Sequence, residues 1–249
     1  MQDTIPGVLR EAAERFGDHP AYVEGGRSVS YADLLRLVEQ TGATYAEAGV
    51  GRGDPVVLWG PNSIDWAVAA LAVSYAGGVL VPVNSRYVGA EVADVVERTD
   101  AALVVVHDGF LGRDQVGELR SAGVADDLVT TLADLVERAG SAAAVAPVPL
   151  EPDDVADILF TSGTTGRSKG AMSAHRQTVG VARAWAELGG VRQDDRYLVV
   201  NPFFHSFGYK IGIVVGLLTG ATLYPVATFD LDETMRLIES ERITVLPGA

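Results

Sequence analysis

Between Ile158 and Gly170 the sequence runs Ile-Leu-Phe-Thr-Ser-Gly-Thr-Thr-Gly-Arg-Ser-Lys-Gly, an apolar stretch opening into a segment crowded with hydroxyls and glycines. Thr161 to Gly170 holds five Ser/Thr residues, three glycines and one lysine. Each type suits a polyphosphate. Glycines let backbone N–H groups approach closely, hydroxyls donate to phosphate oxygens, and a lysine supplies a mobile point charge. A flexible Ser/Thr/Gly linker has a similar composition, but such linkers rarely follow a buried strand directly or end in a Lys-Gly pair. The spacing Gly163, Gly166, Lys169, Gly170 differs from the nucleotide-triphosphatase loop, which needs four residues between its glycines and then Gly-Lys-Ser/Thr opening a helix. The dinucleotide pattern Gly-x-Gly-x-x-Gly is also absent here. Gly170 to Ala174 reads as extended, so the cradle is strand, loop, strand.

A second concentration of unusual residues is Asn201-Pro202-Phe203-Phe204-His205-Ser206-Phe207-Gly208, a histidine set among aromatics. By itself such a histidine reads as a core or surface residue. Lys210 reads as a solvated charge at a helix start, and His19 and His107 as surface residues outside any motif. The pairs Asp126-Asp127, Asp153-Asp154 and Asp194-Asp195 lie beside expected turns and suit turn chemistry better than paired acid/base catalysis.

The elements that must position these residues follow from periodicity. Apolar residues Ile5, Val8, Leu9, Ala12 and Phe16 recur at helical spacing behind a Thr4 cap, and Gly25-Gly26 links two short strands as a hairpin. Helix returns from Tyr31 to Ala48 and closes at Gly49. Runs at Pro55–Trp59, Val79–Val83 and Ala102–Val106 alternate with helices near Ser63–Tyr75 and Gly89–Arg98, the pattern of a sheet covered on both faces. Beyond Pro152 the expected order is strand Val155–Thr161, helix His175–Leu188, strand Tyr197–Val200, helix Phe207–Leu218, strand Ala221–Tyr224, helix Asp230–Glu241 and a buried strand Ile243–Leu246. The fold class is α/β. The Ala- and Pro-rich segment Ala139–Pro152 reads as either a connector between two parts of the fold or an ordered surface loop. A strand that ends the chain uncovered suggests truncation.

Composition bounds the function. The 249 residues carry 19 Lys plus Arg against 33 Asp plus Glu, a net charge of −14, which disfavours nucleic acid and anionic membranes. Any phosphate site must therefore be local. With no cysteine there is no disulfide, thiolate nucleophile or cysteine-ligated metal. The N-terminus lacks a secretory pattern, and apolar stretches such as Trp66–Val83 fall short of a membrane span. The plain reading is a cytoplasmic protein.

The segment Phe160 to Gly166 with Lys169-Gly170 resembles the phosphate loop of the adenylate-forming superfamily, which includes acyl-CoA synthetases, aryl-CoA ligases, luciferases and adenylation domains of peptide synthetases. Pro202 to Gly208 resembles that family's Pro-x-Phe-His-x-x-Gly segment. Supporting similarity covers most of the chain, at Tyr31-Ala32-Asp33-Leu34, Gly53-Asp54-Pro55, Pro61-Asn62-Ser63, Gly77-Gly78 and Pro82-Val83-Asn84. One departure is Ser168, where the family commonly has proline before the lysine. The aromatic-rich segment Phe203 to Lys210, with the high Ala/Gly/Val content, also resembles actinobacterial ligases for fatty or steroid-ring acids.

The resemblance implies the layered αβα sheets of the family's large N-terminal domain, with a first α/β part at about 1–140, a phosphate-loop part at 153–249, and no small C-terminal domain. It implies AMP-forming acyl-CoA ligase chemistry with ATP, Mg²⁺ and coenzyme A. Thr161, Ser162, Gly163, Thr164, Thr165 and Gly166 would hold phosphate oxygens, and Lys169 would neutralise the pyrophosphate leaving group. Thr161 would also lend an oxygen to a partial Mg²⁺ site. His205 would orient the reacting carboxylate, with Phe207 and Gly208 shaping an acyl pocket. His175 and Arg176 are expected to cap and pack. The family's adenine, ribose and catalytic-lysine motifs are not found in these residues, so the chain is expected to be an N-terminal fragment inactive by itself. The partners implied are a small carboxylic acid, ATP and CoA, and homodimer assembly is compatible with them. An adenylation domain of a peptide synthetase and a non-catalytic nucleotide-binding module are the alternatives.

Overall fold

Val, Leu and Ile runs too short for helices form strands here because β-branched side chains pack well on a pleated surface. The computed structural model describes residues 3–161 and 168–248. The chain runs α1 (Ile5–Phe16), β1 (Pro20–Glu24), β2 (Arg27–Ser30), α2 (Tyr31–Glu47), β3 (Pro55–Trp59), α3 (Ile64–Tyr75), β4 (Val79–Val83), α4 (Gly89–Thr99), β5 (Leu103–Val106), α5 (Gln115–Ser121), β6 (Val129–Thr131) and α6 (Leu132–Ser141). It continues through β7 (Val155–Thr161), β8 (Lys169–Ala174), α7 (His175–Gly189), β9 (Arg196–Val199), α8 (Ser206–Gly208), a π-helix (Tyr209–Val214), α9 (Val215–Thr219), β10 (Thr222–Pro225) and α10 (Leu231–Ser240).

Two sheets form, in the orders β6-β5-β3-β4-β7-β8 and β2-β1-β10-β9. The first is parallel except for β8, which pairs antiparallel with β7. Alternate residues of its strands enter different cores. Val56, Leu58, Leu80 and Val105 pack with α2 and α3 on one side, while Val57, Trp59, Val81 and Val104 pack with Val92, Val95 and Val96 of α4 on the other. The first of these cores continues to Tyr22, Tyr197 and Leu223 of the second sheet, whose far face holds Leu198 and Tyr224 against Leu237 and Ile238 of α10. The order is therefore helix, sheet, helix, sheet, helix. Helix α3 lies in the middle layer, which is why it is apolar on every side rather than along one stripe.

The segment Ala139–Pro152 begins in the last turn of α6, and each sheet takes strands from both sides of it. Two expectations change. The expected helix Phe207–Leu218 contains a π-helical stretch with Tyr209 to Val214 all buried. Ile243–Leu246 makes one parallel bridge, Val245 to Tyr197, and its residues alternate between half-buried and exposed; it is an extended flank of β9, not a buried strand.

Candidate functional site

Strand β7 leads into the hydroxyl-rich loop and β8 leaves it. Thr161 and Lys169 are paired across the hairpin, and the Thr161 hydroxyl donates to the Lys169 carbonyl at 3.4 Å. Both are exposed, so the lysine ammonium meets solvent at the loop's base. Ser162, Gly163, Thr164, Thr165 and Gly166 lie outside the described residues. A residue not singled out by its sequence context, Arg98 of α4, steadies the hairpin. Its guanidinium donates to the Ser168 carbonyl at 2.9 Å and stands 4.9 Å above the Phe160 ring. Where a proline would pre-set the backbone, this chain has Ser168 tied from outside.

The histidine segment follows β9 and is held by Asn62, which follows β3. The Asn62 amide donates to the carbonyls of Val199 (3.2 Å) and Asn201 (2.9 Å), and its oxygen accepts from the Phe203 N–H at 2.6 Å. Asn62 is buried, so three bonds are made away from water and fix the segment. Phe203 is buried with its ring 5.4 Å from Trp66. Gly208 has no alternative at this position, since a Cβ there would lie 2.1 Å from the Pro202 carbonyl oxygen. His205 is exposed and caps the following helical turn, its Nδ1 accepting from the Phe207 N–H at 3.2 Å. That bond leaves Nε2 carrying the proton in the neutral ring. Phe207 is half-buried and meets Trp185 edge-on at 5.4 Å, so it packs on α7.

Asn62 places the histidine segment against the C-terminal end of β3, and β7 lies two strands away in the same sheet. At about 4.8 Å per strand this separation is about 10 Å. The loop and the histidine segment thus share one edge of the sheet, the carboxyl edge where α/β folds commonly bind ligands. A cavity of about 360 Å³ opens between the ends of both sheets, lined by Asn84, Arg86, Phe110, Phe204 and Phe229 among others. His205, Phe207 and Gly208 are not among its lining residues. Sequence patterns could not single out Arg86, Phe110 or Phe229, which come from three separate loops.

Lys210 is corrected: it is buried, with Nζ 3.0 Å from Asp157 Oδ1 and donating to Ser173 Oγ at 2.7 Å. His175 does cap and pack. It is buried, its Nδ1 accepts from the Ile5 N–H at the start of α1 (3.2 Å), and burial lowers its pKa to about 4. Arg176 pairs with Asp153. Asp154 and Asp195 accept from the backbone N–H groups of Glu151 and Arg192, each at 2.8 Å, which is turn chemistry as expected. His19 and His107 are half-buried rather than fully at the surface. Among the described residues no group of three or more His, Cys, Asp or Glu could hold a metal ion, and Thr161 presents one exposed hydroxyl at the base of the loop. No helix of the described residues is long and apolar enough to cross a membrane.

The profile of the AMP-binding enzyme family matches residues 9–249, and the chain belongs to that family. It is 44% identical over 99% of its length to the 3-[(3aS,4S,7aS)-7a-methyl-1,5-dioxo-octahydro-1H-inden-4-yl]propanoyl:CoA ligase of Rhodococcus jostii, of which it covers 52%. It is 41% identical over 98% of its length to the ligase of the same name from Mycobacterium tuberculosis, covering 51% of that protein. The chain therefore spans about half the length of these curated relatives. Among solved structures, the inhibitor-bound N-terminal domain of FACL13 from Mycobacterium tuberculosis superposes with a TM-score of 0.88 at 29% identity, over 98% of this chain and 62% of that one. ATP-bound MatB from Rhodopseudomonas palustris gives 0.86 at 26% identity, over 96% of this chain and 48% of that one. The layered α/β fold is that of the N-terminal domain of adenylate-forming enzymes.

Proposed function

We propose that the protein containing these residues activates a carboxylic acid with ATP and transfers the acyl group to coenzyme A. A carboxylate oxygen attacks the α-phosphorus of ATP, the bond to the β-phosphate oxygen breaks, and pyrophosphate leaves. The thiol sulfur of CoA then attacks the acyl carbonyl, forming a thioester as AMP departs and the thiol proton is lost. Negative charge grows on the leaving pyrophosphate, so donors aimed there lower the barrier. Lys169 and the hydroxyls and amides of Thr161 to Gly166 take that role, and Thr161 would lend one oxygen to a Mg²⁺ ion, whose charge would offset that of the phosphates. His205, with Nδ1 turned to the Phe207 N–H, offers Nε2–H to the carboxylate, and the cavity beside Phe204 receives the acid's apolar body.

The observation that carries this reading is the common sheet edge shared by the Thr161–Lys169 hairpin and the His205 segment, joined through Asn62. The two relatives at 44% and 41% identity favour, as the acid, a propanoate borne on a fused-ring diketone over a linear fatty acid. The test is acid-dependent exchange of labelled pyrophosphate into ATP by the full-length protein, comparing that ring-bearing propanoate with palmitate. Exchange with the ring acid at a kcat/KM at least tenfold higher supports the reading. ATP binding without exchange identifies a non-catalytic nucleotide module instead.

A further inference from the structure

The ion pair Lys210–Asp157 is unlike the others described. Its side chains are 9% and 0% exposed, whereas each side chain in the remaining pairs is at least 25% exposed. Burying two charges is expensive, and an apolar pair of the same volume often serves stability as well. The locations of the partners suggest another role. Asp157 lies in β7, four residues before Thr161, where β7 is bonded to β4 on one side and to Ser173 of β8 on the other. Its Oδ2 accepts from Thr178 Oγ1 of α7 at 2.5 Å, while Oδ1 faces Lys210. Lys210 donates to Ser173 Oγ at 2.7 Å and stands five residues after His205, in the π-helix that carries the histidine segment onward. One buried cluster thus joins both strands of the loop hairpin, the start of α7 and the helix behind His205. π-Helical turns are uncommon and recur at functional sites.

We propose that Lys210 and Asp157 are positioning residues that set the phosphate-loop hairpin at a fixed distance from His205, so that nucleotide and carboxylate are held in reacting register. This rests on the reading of those two segments as the ATP and acid sites. A displacement of about 1 Å between reacting groups can cost on the order of 10²-fold in rate. The pair therefore acts on kcat more than on ATP affinity.

The full-length protein is compared as wild type, Lys210→Met and the double variant Asp157→Asn with Lys210→Met. The double variant removes both charges at nearly constant volume, so it is expected to recover the thermal midpoint lost in the single one. Both variants are expected to lose on the order of 10²-fold in kcat for pyrophosphate exchange, with KM for ATP within about threefold of wild type. Amide hydrogen exchange in 158–161, 168–172 and 201–208 is expected to accelerate at least about tenfold in the double variant, with α3 unchanged. A double variant that recovers both thermal midpoint and wild-type kcat overturns the proposal, as do unchanged exchange rates in both segments. Because hydrogen exchange needs no turnover, a wild-type protein without pyrophosphate exchange overturns the catalytic reading while the positioning claim is judged separately.

Discussion

Lys169 illustrates what a single residue contributes. It is exposed and makes no ion pair among the described residues, so Lys169→Met is expected to leave the thermal midpoint within about 1 °C while lowering exchange kcat on the order of 10²-fold. Equal kcat in mutant and wild type excludes this lysine from the chemistry. His205→Ala removes one hydrogen-bond donor toward the acid, so KM for the acid is expected to rise about tenfold with KM for ATP unchanged. A KM rise for ATP alone contradicts the assignment. At this scale the loop could be singled out from its glycines, hydroxyls and lysine, which suit a polyphosphate, while His205 was singled out only through the resemblance of its segment to a family motif. Lys210 was not, because a lysine at a helix start looks the same in sequence whether it meets water or a buried carboxylate on another element. Arg98 was hidden likewise: its stacking on Phe160 and its bond to Ser168 depend on α4 crossing the hairpin.

Elements bring these residues together, and two substitutions test how. Gly208→Ala places a methyl group 2.1 Å from the Pro202 carbonyl oxygen, backbone that has no side-chain freedom to give. A loss of at least about 1–3 kcal/mol in unfolding free energy, read by urea titration, is expected. Asn62→Ala strands the buried Phe203 N–H and unties the half-buried Asn201 carbonyl, while the Val199 carbonyl keeps the Val226 N–H, so a loss of about 1–3 kcal/mol is expected, with a fall in acid-dependent exchange larger than that of ATP binding. A stable variant with normal exchange would show that the segment holds its shape without the clamp. The strands at Pro55–Trp59, Val79–Val83 and Val155–Thr161 were legible to the residue, since short, mainly apolar runs bounded by Gly, Pro or Asp have few alternatives, even with Asp157 inside the last of them. Residues 107–138 were not: α5 has seven residues and β6 three, both shorter than a period needs to declare itself, and α6 was passed over although Leu132, Leu135 and Ala139 follow a Thr131 cap at helical spacing. The π-helix escaped as well, since a fully buried apolar run shows no moment that separates it from an α-helix.

At the scale of the whole molecule, the −14 charge requires any anion site to be built locally from amides, hydroxyls and one or two cations. His175 ties α7 to the first turn of α1, 170 residues away along the chain. Its pKa of about 4 lies below the ordinary 6.5, so the unfolded chain takes up a proton that the folded one refuses as pH falls through 6.5. Its contribution is intact above that pH, about 2 kcal/mol is lost by pH 5, and the loss levels off at about 3 kcal/mol below pH 4. Urea titrations of wild type and His175→Gln are therefore expected to converge between pH 7 and 5; parallel profiles would contradict this. Sheet membership was the largest thing the sequence concealed, since no local signal tells that β1 pairs with β10 or that β7 joins β4. The central claim is adenylate formation at the Thr161–Lys169 hairpin beside His205, and it is tested most directly by pyrophosphate exchange in the full-length protein. Label entering ATP only when a carboxylic acid is supplied, and slowed on the order of 10²-fold by Lys169→Met, is the result predicted. Acid-independent exchange, or ATP bound with no exchange under saturating acid, would contradict it.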